Sequence, residues 1–189
     1  MKIFIASDIH GSTACIKKLI KRIDIENAEQ VIFLGDILYH GPRNALPLEY
    51  DTREAANLLN KRAELISSVK GNCDAEVDQI LLDFNVEAPH MILNIDGINI
   101  FATHGHHYNT SYLPAIASFD ILLHGHTHIP AFEEIKKENG ESFAKKKYYI
   151  NPGSVSIPKG GSTNSYLIFE NLKFIWKDLD CNVYKEEIL

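Results

Sequence analysis

Leu123-His124-Gly125-His126-Thr127-His128 closes an apolar run that begins at Ile121. A continuous apolar run reads as a buried strand. Three histidines then fall within five positions, His124, His126 and His128. At the carboxyl end of a strand they would stand where open α/β sheets hold their ligands. Alternation along an extended strand would point His126 and His128 the same way, but a tight turn at Gly125 could aim them differently. Neutral imidazole is the commonest metal ligand. The other strand ends therefore decide what this stretch means.

Working back towards the amino terminus, Ile3-Phe4-Ile5-Ala6 reads as a buried strand that runs into Ser7-Asp8-Ile9-His10-Gly11. Val31-Ile32-Phe33-Leu34 reads as a second and ends in Gly35-Asp36, and Leu65 to Val69 reads as a third and ends in Lys70-Gly71-Asn72-Cys73-Asp74. Between them, Ile16, Leu19, Ile20 and Ile23 share one helical face behind Ser12 or Thr13 as cap. Ala55, Ala56, Leu58 and Leu59 mark a second helix opened by Thr52. This is a strand–helix–strand start, for which parallel pairing is expected. Residues 37–51, with Gly41, Pro42 and Pro47, read as a long loop of the kind that is usually functional or disordered. Val77, Ile80, Leu81 and Phe84 repeat at helical spacing.

The pattern then changes. Asp96-Gly97 separates two apolar runs and is a strong hairpin signal. The second of those runs ends in Thr103-His104-Gly105-His106-His107. A short helix is expected after Thr110, and Asn139-Gly140 and Glu170-Asn171 mark two further hairpins. Alternating strands and helices that give way to hairpins suggest an α/β chain with two sheets packed face to face and helices outside. The 189 residues suit one domain, 1–189, with a core of its own.

Five strand ends thus carry candidate ligands: Asp8 with His10, Asp36, Asn72, His104, and His126 with His128. Any one of the first three, taken alone, could do no more than cap the next helix. Together they are harder to dismiss, because the carboxyl ends of parallel strands converge on one edge. Carboxylate, imidazole and amide oxygen suit divalent manganese, iron or zinc, and the lack of thiolate pairs speaks against a structural cysteine-type zinc site. Two such ions roughly 3.5–4 Å apart can clamp the oxygens of an in-line phosphoryl displacement. One carboxylate must bridge them, and Asp36, on a central strand, is the natural choice.

The net charge of −6 argues against an extended nucleic-acid surface. Three cysteines, Cys15, Cys73 and Cys181, form neither an even disulfide framework nor a CxxC pair. The first apolar run is too short for a signal peptide, and no apolar stretch could span a bilayer. A soluble, cytoplasmic protein without membrane partners is the expectation.

Asp8-x-His10, Gly35-Asp36, Gly71-Asn72, His104 and Gly125-His126-x-His128 follow the motif order of the calcineurin-like metallophosphoesterase superfamily, which this chain resembles over almost its whole length. The loop Gly41 to Pro47, Gly71-Asn72-Cys73-Asp74 and Asn151-Pro152-Gly153-Ser154 look like those of its YfcE-type bacterial phosphodiesterases. The resemblance implies a four-layer α/β/β/α sandwich of two mixed sheets flanked by helices. It implies two divalent ions, manganese first, with iron, zinc or nickel as alternatives. One ion would take Asp8, His10, Asp36 and His128, and the other Asp36, Asn72, His104 and His126. A hydroxide bridging the metals would attack the phosphorus of a small phosphodiester. Asp36, Asn72, Cys73 and His104 would be the catalytic set, with His40, Arg43 and His106 as candidate substrate contacts.

Many members of the superfamily place histidine where this chain has Cys73. A thiol with a reference pKa of about 8.5 is a weaker phosphate donor than imidazolium, though it can still give up a proton. Diesters with good leaving groups are therefore expected over the alternatives, phosphomonoesters or cyclic nucleotides. A non-catalytic scaffold like the small retromer subunit is a further alternative, which the filled ligand positions disfavour. The hairpin-rich carboxyl half could support a homo-oligomer.

Overall fold

The computed structural model describes residues 1–115, 118–137 and 139–189. Two mixed sheets pack against each other. The first, in the order β11-β10-β9-β1-β2-β3, comprises β1 (Ile3–Ala6), β2 (Gln30–Phe33), β3 (Ile66–Ser68), β9 (Ser165–Glu170), β10 (Lys173–Asp178) and β11 (Val183–Ile188). The second, in the order β4-β5-β6-β8-β7, comprises β4 (His90–Ile95), β5 (Ile98–Thr103), β6 (Ile121–His124), β7 (Ala131–Lys136) and β8 (Ser142–Asn151). β1, β2 and β3 run parallel in the first sheet, and β5, β6 and β8 run parallel in the second.

Strand alternation builds the layers. Ile3 and Ile5 of β1 face the second sheet, where they meet Ile100 and Ala102 of β5 and Ile121 and Leu123 of β6 in one inter-sheet core. Phe4 and Ala6, one residue out of phase, face the other way onto Ile16, Leu19 and Ile23 of α1 (Thr13–Glu26) and Ala55, Ala56 and Leu59 of α2 (Thr52–Leu59). Ser12 caps α1 by accepting from the Cys15 N–H, and Asp51, not Thr52, caps α2 by accepting from the Glu54 N–H. On the outer face of the second sheet Phe101, Leu122 and Tyr149 are covered by Tyr108, Leu113 and Phe119.

Two expected helices take other forms. The 76–80 stretch is a short 3-10 turn that leaves Val77 62% and Ile80 82% exposed, while Leu82 and Phe84 supply the buried contacts. After Thr110, residues 110–115 form turns and a bridge to Asn109, and residues 116–117 lie outside the described set. The lysine run of β8 lies on the part of that strand that extends beyond its pairing with β6, and it is internally engaged. Lys145 reaches Asp120 at 2.6 Å, Lys146 reaches Glu134 at 3.6 Å, and the Lys147 ammonium sits 3.9 Å over the Phe119 ring. Among the described residues no helix is long and apolar enough to cross a membrane.

Candidate metal centre

The parallel strands of both sheets end on one rim, and every motif picked from the sequence follows one of those ends. Asp8, His10, Asp36, His104 and His128 are almost wholly buried there, with Asn72 and His126 at the mouth. Asp8, His10, Asp36, His126 and His128 all hold positive φ, between 49° and 65°. Residues with a Cβ enter that region at a cost of about 1–3 kcal/mol and stay there only when their surroundings force it. The strands do not carry straight on past their ends. β1, β2 and β6 turn back at their ligands.

The imidazoles are oriented by backbone carbonyls. His10 Nδ1–H donates to Tyr39 O at 2.8 Å, His104 Nδ1–H to Leu34 O at 2.6 Å, and His128 Nδ1–H to Ile157 O at 2.6 Å. Each bond holds the ring by Nδ1 and turns Nε2 inward, the orientation that metal-binding histidines require. His126 presents Nδ1 instead, 3.2 Å from His104 Nε2.

The donor atoms gather in two groups. In the first, His128 Nε2 lies 3.2 Å from Asp8 Oδ1, and His10 Nε2 lies 3.9 Å from Asp8 Oδ1, 3.7 Å from Asp36 Oδ2 and 3.5 Å from His128 Nε2. In the second, His104 Nε2 lies 3.5 Å from Asp36 Oδ1 and 3.1 Å from Asn72 Oδ1. Asp36 therefore offers one oxygen to each group. Asp8 Oδ1 is buried with no hydrogen-bond partner, although its companion Oδ2 accepts from the His126 N–H at 3.1 Å. A buried carboxylate oxygen with no donor, facing imidazole Nε2 atoms, fits a cation. Asp8, His10 and His128, and likewise Asp8, Asp36 and His104, can each bring their ligand atoms within 4.8 Å of one another.

The carboxylates and imidazoles set one another's charge. Burial works to raise the Asp8 carboxyl, but the His128 contact and the charges of His104 and His128 outweigh it and the pKa falls. Asp36 behaves likewise: burial opposes, His104 and the Cys73 N–H prevail, and the carboxyl stays well below its usual range. Both are anions. Burial pushes His10 and His126 down, towards the neutral form a metal needs. His104 alone moves up, to about 9, because the Asp36 contact and the charges of Asp8 and Asp36 outweigh its burial.

Sequence reading missed the residue that holds Asp36 in place. Asp74 accepts from the Asp36 N–H at 2.8 Å, the Ile37 N–H at 2.8 Å and the Gly71 N–H at 2.7 Å. Burial and the nearby Asp36 charge raise its pKa to about 6. Ser154 performs a similar service, donating from Oγ to Asp8 O at 2.8 Å. The signal for Asp74 was present as an acid two residues beyond Asn72, but nothing in its spacing says that it turns back onto another strand's end.

A cavity of about 500 Å³ opens over the two groups, lined by Asp36, Asn72, Cys73, His126, Arg43 and Lys159 among others. Burial and the Asp36 charge push the Cys73 thiol up to about 12, so it is a neutral S–H. His40 lies apart from this wall, its ring edge-on to Tyr39 and Tyr50 with centroids 4.7 and 5.1 Å away. His106 stands beside His104 and His126, at 5.4 and 6.3 Å between ring centroids, and burial with the His104 charge lowers it to about 4.

The model of the calcineurin-like phosphoesterase superfamily domain matches residues 1–173. The chain belongs to that superfamily. It is 43% identical over 171 residues to phosphodiesterase YfcE of Escherichia coli, an alignment that covers 90% of this chain and 88% of the relative. Phosphodiesterase MJ0936 of Methanocaldococcus jannaschii is 34% identical over 143 residues, 71% of this chain and 78% of the relative. Among solved structures, the E. coli YfcE phosphoesterase superposes with a TM-score of 0.89 at 38% identity, covering 100% of this chain and 99% of that one. The two-sheet architecture is thus that of the metallophosphoesterase fold.

Proposed function

We propose that this superfamily member hydrolyses small phosphodiesters at a dinuclear metal centre. The observation that carries the reading is the division of donors about Asp36. Its Oδ2 faces His10, with Asp8 and His128 beside it, and its Oδ1 faces His104, with Asn72 and His126 beside it. Asp8, His10, Asp36 and His128 would hold one divalent ion, and Asp36, Asn72, His104 and His126 the other. Manganese is the first candidate for both. The donor set of carboxylate, imidazole and amide oxygen equally admits iron, zinc or nickel. When bound, such ions supply Lewis-acid charge and water that ionises near neutral pH.

The chain's own residues do the rest. Tyr39, Leu34 and Ile157 carbonyls hold three imidazoles by Nδ1 and turn Nε2 inward. Asp74 keeps the Asp36 backbone from moving when charge builds above it. Asn72 and His126 form the rim against which the scissile phosphate rests, with His106 beside them and Arg43 further along the cavity wall as a contact to the rest of the substrate. Cys73, a neutral thiol that receives a contact from the Asn72 amide at 3.2 Å, keeps its proton for the departing oxygen. Such a weak acid aids little, so diesters with good leaving groups are the preferred substrates. The three cysteines are unpaired, in keeping with a reducing cytoplasm.

The test is hydrolysis of bis-p-nitrophenyl phosphate by chelator-stripped protein with and without manganese, beside Asp36→Asn. Manganese-dependent turnover that the variant loses supports the reading. A wild-type protein inert with manganese, iron, zinc and nickel refutes it.

A further inference from the structure

We propose that the natural substrate carries a second phosphate in addition to the diester that is cleaved, and that Arg43 and Lys159 select it. The inference rests on the phosphodiesterase reading and deepens it. Both cations line the cavity above Asp36. Among the described residues twelve basic side chains pair with carboxylates, and of the seven that do not, Arg43 and Lys159 are the two that line this cavity. Arg43 and Lys159 have no such partner among the described residues, in a chain whose net charge is −6.

Both are carried on backbone tied to the metal centre. The Lys159 N–H donates to His128 O at 3.1 Å, and the Ser162 hydroxyl donates to Lys159 O at 2.7 Å. Lys159 thus starts from the same turn whose Ile157 carbonyl orients His128. The Arg43 loop is held by the Asn44 amide donating to His40 O at 2.8 Å, and it rests on Cys73, whose sulfur would stand 2.9 Å from a Cβ at Gly41. Both side chains therefore start from backbone tied to the rim of one cavity.

A simple diester is a monoanion. Two divalent ions set against the Asp8 and Asp36 carboxylates already supply more positive charge than it needs. Two further cations in the same cavity repel each other unless an anion lies between them. A phosphate monoester, with up to two charges and three acceptor oxygens, satisfies a planar guanidinium and an ammonium together. The rest of the cavity wall is more polar than apolar, with Pro42 and Cys73 set among glycine, asparagine, threonine and histidine.

The experiment uses a matched pair with one leaving group: thymidine 5′-(p-nitrophenyl phosphate), and the same compound with a 3′-phosphate. With manganese-loaded protein, kcat/KM is expected to be about tenfold higher for the phosphorylated compound, through KM, as one charge-assisted contact warrants. In Arg43→Gln/Lys159→Gln the ratio should fall towards unity. Binding is read separately as the thermal shift given by thymidine 3′,5′-bisphosphate over thymidine 5′-monophosphate, an advantage that the double variant should lose. Equal kcat/KM for the pair, or a preference that the double variant keeps, overturns the proposal. If neither compound is cleaved, the phosphodiesterase reading falls. The binding comparison then decides the second-phosphate claim alone, and an equal shift with both ligands refutes it.

Discussion

Gly71→Ala is the most informative single substitution, because it adds one methyl group where the structure has no room beside the shared carboxylate. Gly71 lies outside the left-handed region, so alanine meets no backbone penalty there and would by itself favour folding by about 0.4–1 kcal/mol. The obstacle is steric. A Cβ at this position overlaps Asp36 Oδ1 and the Asp36 backbone N, and stands 3.0 Å from Asp36 Cγ. Non-bonded carbons settle at about 3.5–4.0 Å, so the carboxylate must retreat by roughly 0.5–1 Å. It cannot do so freely: the Asp36 N–H is bound by Asp74 at 2.8 Å, and its carbonyl by the Ile9 and His10 N–H groups at 2.9 Å each. Forced overpacking of this kind costs about 1–3 kcal/mol. For a chain of this size that is a fall in Tm of about 2–12 °C.

The functional loss should be larger. Metal–ligand distances tolerate only about ±0.2 Å, and a misplacement near 1 Å costs on the order of 100-fold in rate. We expect kcat/KM on bis-p-nitrophenyl phosphate to fall about 100-fold and manganese affinity to fall with it. Gly97→Ala is the control. Gly97 has φ of +82° and open space around it, so alanine strains a distant hairpin and lowers Tm without touching the centre. A Gly71→Ala protein with kcat/KM and manganese affinity within about threefold of the parent, on the scale of these effects, refutes the packing of Asp36 described above.

Three further expectations follow from the same geometry. Asp74→Ala strands three backbone N–H groups, so urea unfolding should show about 2–4 kcal/mol less stability; a loss under about 1 kcal/mol would mean that water replaces the carboxylate. Removal of metal leaves the Asp8 and Asp36 carboxylates buried against each other, so manganese at a hundred times its Kd should restore about 2.7 kcal/mol per site, seen as a rise in Tm over the chelated protein; no rise contradicts a site in this rim. Cys73→His places a stronger proton donor beside Asp36 and should raise kcat on diesters with poor leaving groups more than on p-nitrophenyl esters; equal effects on both argue against a donor at this position.

Much of the rim was legible because its chemistry sits directly after apolar runs. Asp8, Asp36, His104 and His126 each follow a buried strand within a few residues, and the change from helix-separated strands to Asp96-Gly97 and Asn139-Gly140 hairpins announced two sheets. What escaped depends on tertiary partners. Val183–Ile188 forms β11 through backbone pairing at a sheet edge, and its sequence, Val-Tyr-Lys-Glu-Glu-Ile, does not alternate apolar with polar residues. Val77 and Ile80 keep helical spacing yet lie in a 3-10 turn open to solvent, since the burial in that segment falls to Leu82 and Phe84. Asp74 and the carbonyls of Leu34, Tyr39 and Ile157 fix the ligands from 29 to 70 residues away or act through the backbone, which side-chain identity does not reveal.

The central claim, two ions sharing Asp36, is tested most directly by counting metal. Chelator-stripped protein is loaded with manganese and freed of excess, and bound metal is measured by mass spectrometry against protein concentration. The account predicts two manganese ions per chain in the parent and no more than one in Asp36→Asn. One ion or none in the parent, or two in the variant, contradicts it.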